Sequence, residues 1–260
     1  MLTVVTSGKA APGVTTSTWA LALGWPGPLL VADCDPAGGD MAPGLLAGRV
    51  GVDRGLLSWS TAARRGVPAR QAATMLVEHA VEIPEQPQVW LVPGVTTAAQ
   101  GTSFTAEAWE RLASALHTSS ASIGRDALVD AGRLVTERGC WPVLRAADRV
   151  LLAVRPSVRS VHAAQDARQR LRHELGDLAK VTALVVGDGP YSAGEVAKAL
   201  DLPLAGTLPY DRTTAQALSD DAPVSPKTLR RSALLRAASS LAETLTSPME
   251  APRVAEAVAG

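Results

Sequence analysis

The sequence predicts an α/β fold: a single domain with a mainly parallel, twisted sheet and helices on both faces. Three observations carry this reading. Short runs rich in Val, Leu and Ala alternate with stretches whose apolar residues recur at helical spacing. Those runs are almost continuously apolar, as strands covered on both faces are. No internal repeat and no long linker interrupts the 260 residues, a length that one core can fill.

The elements follow in order. LTVVT (2–6) reads as a buried strand, followed by a glycine-containing loop and a helix through about Leu23. PLLVADCD (28–35) is a second strand that ends in acidic residues. GLLSWSTAARRG (55–66) and PARQAATMLVEHA (68–80) read as two helices joined at Gly66-Val67-Pro68, with proline suited to a helix start. QVWLVPG (88–94) is a strand, and TAEAWERLASAL (105–116) has helical periodicity. DALVDAG (126–132) and DRVLLAVRP (148–156) are strands, and SVRSVHAAQDARQRLRHEL (157–175) is the helix after them. KVTALVVGDG (180–189) is a strand, SAGEVAKAL (192–200) a short helix and LPLAGTLP (202–209) a final strand. PKTLRRSALLRAASSLAETL (226–245) reads as one closing helix, with Leu234, Ala238, Leu241 and Leu245 on a face that packs on the sheet. The domain is set at 1–247, and residues 248–260 are expected to form a flexible tail.

Composition removes several function classes. Lys+Arg and Asp+Glu balance at 25 each, so global charge gives no case for nucleic acid or an anionic membrane. No stretch reaches the roughly 18 uninterrupted apolar residues of a membrane span. The opening MLTVVTSGK lacks the basic and apolar regions of a secretory signal, so a cytoplasmic location is expected. Cys34 and Cys140 form no metal spacing, and one disulfide stays open. The four histidines (His79, His117, His162, His173) have no ligand spacing, and the six dispersed tryptophans suit core packing. No G-x-S-x-G nucleophile elbow is present. The last residues, MEAPRVAEAVAG, are too weakly amphipathic to dock on a membrane. The arginine-rich stretch from Arg145 to Arg172 admits a nucleic-acid or partner-binding face, but a solvated helix face is the plainer reading.

SGKAAPGVTT (7–16) carries the chemistry. Gly8, four residues, Gly13, one position and then Thr15 trace a phosphate-binding loop between a strand and a helix. Such a loop aims backbone N–H groups and a helix dipole at phosphate oxygens. Gly8 and Gly13 allow the turn, Thr15 stands where a hydroxyl ligates Mg²⁺, and Thr16 adds a donor. Two residues weaken the site. Val14 stands where a lysine would meet the β/γ-phosphates; one such charge-assisted bond contributes about 1.5–3 kcal/mol, or roughly ten- to a hundredfold in affinity. Pro12 lacks an N–H. A ligand-free glycine turn is the alternative. Downstream, Asp35 and Asp130 each end an apolar strand, where open α/β sheets bind ligands; ordinary turns are the alternative there.

SGKAAPGVTT resembles the deviant Walker A motif of the MinD/ParA family, K-G-G-x-G-K-T-T, across Lys9, Ala10, Ala11, Pro12, Gly13, Val14, Thr15 and Thr16. ADCDP resembles that family's D-x-D-P segment through Asp33, Asp35 and Pro36, and ALVDAG its Walker B strand, ending in Asp130. TALVVGDG and LPLAGTLPYD resemble its last two strands, so the resemblance spans about residues 2–220. The resemblance implies a P-loop nucleotide-binding domain with ATP and Mg²⁺ as cofactors. It places Lys9 as the lysine that reaches a dimer partner's phosphates, Asp35 as the residue that orients water, and Thr15 and Asp130 at Mg²⁺. Asp188 stands where the family often has an adenine-contacting asparagine, and Pro209 lies beside the base. It implies a homodimer with a protein partner, acting in positioning, partition or as a secretion or pilus scaffold. Val14 on the Walker lysine position implies weakened or lost hydrolysis. A nucleotide-free pseudo-ATPase, and an active ATPase with a compensating basic residue, stay open as alternatives.

Overall fold

A computed structural model of the chain describes residues 1–9, 13–46, 50–51, 53–63, 66–83, 86–134, 139–220 and 222–247. Ala10, Ala11 and Pro12 of the glycine loop and the expected tail, 248–260, lie outside the described residues. The strands are β1 (Leu2–Ser7), β2 (Leu29–Asp33), β3 (Val81–Ile83), β4 (Gln86–Val92), β5 (Asp126–Arg133), β6 (Arg149–Val154), β7 (Val181–Val186) and β8 (Leu204–Leu208). They form one sheet in the order β3-β4-β2-β5-β1-β6-β7-β8. Every pairing is parallel except β3 with β4.

The helices are α1 (Val14–Leu23), α2 (Met41–Leu45), α3 (Leu56–Ala62), α4 (Ala69–Glu78), α5 (Ala98–Ser103), α6 (Ala106–Ile123), α7 (Trp141–Ala146), α8 (Val158–Leu175), α9 (Ala193–Leu200), α10 (Arg212–Asp220), α11 (Pro226–Arg231) and α12 (Ala233–Thr246). They cover both faces of the sheet. On one face Leu30, Ala32, Val129 and Leu152 pack with Trp59 of α3, Leu76 of α4, Leu112 of α6 and Ala164 of α8. On the other, Val5, Val31, Leu128 and Leu151 pack with Trp19 of α1, Leu218 of α10 and Leu241 of α12. Successive strand residues point to opposite faces, so a continuous apolar run feeds both cores at once. Burying each large side chain stabilises the fold by about 1.5–3 kcal/mol. No helix among the described residues is long and apolar enough to cross a membrane.

Local chemistry sets where helices begin. Thr105, Ser157 and Ser192 each accept the N3 amide of the helix they precede, and Ser192 with Glu195 completes a capping box. The same chemistry corrects one expectation. The closing helix is two helices, broken at Ser232, whose hydroxyl accepts from the Leu235 amide at 3.1 Å and donates to Asp211 at 2.8 Å. A serine committed to a cap cannot also continue the preceding helix. The face predicted for α12 packs as expected: Leu234, Ala238, Leu241 and Leu245 are buried. Both cysteines are buried free thiols, and five of the six tryptophans are in the core.

Candidate functional site

The residues singled out as a site follow the carboxyl ends of parallel strands. Lys9 and residues 13–16 come after β1, Asp35 after β2, Asp188 after β7 and Pro209 after β8, while Asp130 lies near the end of β5. That edge is where a doubly covered parallel sheet opens.

Gly13 turns the chain into α1. Its φ of 94° lies in the left-handed region, which favours glycine. The Gly13 carbonyl accepts the first helical bond, from Ser17 N–H at 2.9 Å. The amides of the first turn, from Val14 to Thr16, are therefore the unpaired donors of a helix N-terminus. Gly8 anchors the other end of the loop. It is buried, and a Cβ there would come within 2.2 Å of the Ala163 carbonyl oxygen in α8. Val14 does not face water: it is 6% exposed and belongs to the apolar cluster of Val5, Trp19 and Leu128.

The acidic residues are built from the sheet outward. Asp33 and Asp130 are register partners on β2 and β5, and both are buried. Asp33 accepts from the amides of Asp35 at 3.5 Å and Met41 at 3.1 Å, so it holds the 34–41 turn. Burial, then the nearby Asp130, pushes its carboxyl well above the usual range. Gly39 is required beside it, because a Cβ would lie 2.1 Å from the Asp33 Oδ2. Asp130 accepts from Gly132 N–H at 2.8 Å, and the Thr15 hydroxyl stands close to its carboxyl group. Burial pushes Asp130 up to about 6, against the pull of those two groups. Burial also raises Asp35, whose Oδ1 accepts from Ala37 N–H at 2.8 Å.

Two cavities adjoin at the loop. One, of about 290 Å³, is lined by Gly13, Thr16, Arg155, Asp188, Pro209 and Tyr210. The other, of about 790 Å³, is lined by Gly13 to Thr16, Asp35 and Arg133, among others. Gly13 and Thr16 belong to both, so the start of α1 is the wall between them. The structure thus brings Gly13, Val14, Thr15, Thr16, Asp35, Asp188 and Pro209 to two adjoining cavities, with Asp130 buried close to Thr15. Lys9 is exposed and lines neither cavity, and Gly8 is buried against α8.

The donor set suits a magnesium–phosphate ligand. Thr15 and Asp130 offer a hydroxyl and a carboxylate side by side, and Mg²⁺ keeps water and phosphate oxygens for its other positions. Among the described residues no group of three or more His, Cys, Asp or Glu could hold a metal by itself. The smaller cavity has the opposite character: Pro209 and Tyr210 give it apolar surface, and Asp188 and Arg155 give it charge.

Among the cavity-lining residues that sequence reasoning missed are Tyr210, Arg155 and Arg133. Tyr210 follows Pro209 directly. Arg155 was visible only as one of a basic run, two members of which are paired: Arg145 with Glu174 at 2.8 Å and Arg168 with Asp201 at 2.6 Å. Arg133, three positions after Asp130, had no signal beyond its charge.

Neither a protein-family model nor a curated protein matches this sequence. Solved structures do. The MinC:MinD cell division complex of Aquifex aeolicus is 17% identical at a TM-score of 0.70, over 96% of this chain and 99% of that one. A ParA family ATPase from Chlorobium tepidum is 19% identical at 0.70, over 92% and 98%. The septum site-determining protein MinD of Pyrococcus horikoshii, complexed with Mg-ADP, is 17% identical at 0.68, over 95% and 97%. The chain has the fold of the MinD and ParA-family ATPases.

Proposed function

We propose that this chain of MinD/ParA fold is an ATP- and Mg²⁺-binding protein whose hydrolysis is weakened or lost, acting in the cytoplasm as a positioning, partition or secretion/pilus scaffold factor. The observation that carries the reading is the Thr15 hydroxyl close beside buried Asp130, at a hollow walled by the first turn of α1. The amides of that turn bind phosphate oxygens, Thr15 and Asp130 hold Mg²⁺, and Pro209 and Asp188 meet the base. Bound Mg²⁺ would neutralise phosphate charge. Asp35 orients the attacking water. Lys9, exposed and outside both cavities, is free to reach the phosphates of a second copy in a homodimer. The 17%-identical neighbour in complex with MinC supports a further protein partner.

A nucleotide-free interaction module is the second reading, favoured by the way Val14 closes into the apolar cluster. Isothermal titration with ATP and Mg²⁺ separates the two. Binding at millimolar ligand or below, with a melting shift for ATP and none for AMP, supports the first. No heat and no shift support the second. Phosphate release then places the protein between a binder and an ATPase.

A further inference from the structure

We propose that Arg133 supplies the phosphate-facing positive charge that Val14 leaves out of the loop. This inference rests on the nucleotide-binding reading above.

The strand pairing puts it there. β1 and β5 run in step from Leu2 opposite Ala127 to Val5 opposite Asp130, and then Ser7 stands opposite Arg133. Two steps along β1 match three along β5. The extra residue makes a β-bulge, with Gly132 at a φ of 58°. Partners in a parallel ladder present their side chains to the same face. Arg133 therefore shares the face of Asp130, although in an unbroken strand three positions on would be the opposite face.

The two cores identify that face. Val129 and Ala131 belong to the cluster under α6, whereas Leu128 belongs to the cluster that contains Val14 and α1. The bulge thus turns Arg133 toward the start of α1. Leu134 N–H donates to the Ser7 carbonyl at 2.8 Å, and the Thr6 hydroxyl to the Gly132 carbonyl at 3.0 Å, so the end of β5 is tied to the start of the loop.

Arg133 lines the larger cavity with Val14, Thr15 and Asp35, and is its one cation among the described residues. Arg155 lines the smaller cavity, and Lys9 neither. Burial raises the pKa of Asp35 and the guanidinium pulls it back down, which places its charge near that carboxylate. It is exposed, always charged, and its planar donor fork matches two phosphate oxygens. A cation therefore lines the larger cavity while an apolar side chain fills the loop position.

The test is isothermal titration of Mg²⁺–ATP into the full chain for wild type, Arg133→Ala, Arg133→Lys and the double variant Val14→Lys/Arg133→Ala. Arg133→Ala is expected to weaken binding about ten- to a hundredfold. Arg133→Lys, which keeps the charge and loses the fork, should bind more tightly than Arg133→Ala and more weakly than wild type, and Val14→Lys should restore what Arg133→Ala loses. Wild type that binds, with Arg133→Ala binding equally well, overturns the inference and leaves the nucleotide reading standing. Weakened binding with no recovery in the double variant also overturns it, since a distorted site would behave so. Wild type that takes up no ATP at millimolar concentration overturns both.

Discussion

Gly132 lies so close to Asp35 that a Cβ on it would sit 2.2 Å from the carboxyl carbon. This contact couples the bulge in β5 to the acidic turn after β2. Gly132→Ala meets two penalties: the Asp35 side chain must move, and φ of 58° is costly for any residue with a Cβ. We expect a loss of about 1–3 kcal/mol in urea unfolding. An unchanged midpoint would mean that Asp35 steps aside and that the left-handed turn is relaxed.

At Gly8 the obstruction is backbone. A Cβ there meets the Ala163 carbonyl oxygen at 2.2 Å, so Gly8→Ala must push α8 away from the end of β1. Stability should fall by about 3 kcal/mol, toward the upper end of overpacking costs. A melting temperature equal to wild type would count against the tight loop–helix packing described above.

Val14→Lys trades core for charge. It removes a buried valine from the apolar cluster, so the ligand-free protein should lose about 1–3 kcal/mol. It also returns an ammonium to the loop, so ATP affinity should rise about ten- to a hundredfold. Melting without nucleotide and titration with it measure the two effects separately. Lower stability with no gain in affinity would mean that the lysine points away from the hollow.

Asp130 gives a pH prediction. Its folded pKa, raised by burial to about 6, exceeds the unfolded value near 3.8, so the native state binds the proton more tightly. Its contribution to stability is fully present below about pH 4 and is lost as pH rises through 6. A shift of that size corresponds to about 3 kcal/mol. Asp130→Asn should flatten this part of the pH profile, and urea unfolding of both proteins between pH 4 and pH 7 compares them. Parallel profiles would show that the carboxylate is ionised at less cost than its burial suggests.

The sheet was legible because its central strands are long apolar runs; the two-sided demand for Val and Leu leaves little else. The three-residue β3 is too short for any pattern to register, and α2, which contains Pro43 and Gly44, has no helical propensity to show. The break at Ser232 was hidden because serine suits a cap and a helix surface alike. In the site, Thr15 was marked by its spacing in the loop, and Asp35 and Asp130 by their place at strand ends together with the family resemblance. Arg133 and Arg155 were not, because their place depends on strand register, which local sequence does not print. The bulge at Gly132 decides which way Arg133 points, and a glycine after an aspartate reads equally well as a turn.

Cys34 sits between Asp33 and Asp35, with its side chain in the core on the side away from α1. Burial, with Cys140 and the neighbouring carboxylates, pushes its thiol up well beyond the ordinary range, and burial pushes Cys140 to about 12. Such thiols react only while the sheet is open. The protein therefore carries its own clock: the rate at which a thiol reagent labels Cys34 counts the openings of the segment that holds Asp35. A ligand that spans Thr15 and Asp35 should slow that clock, even if it is never turned over.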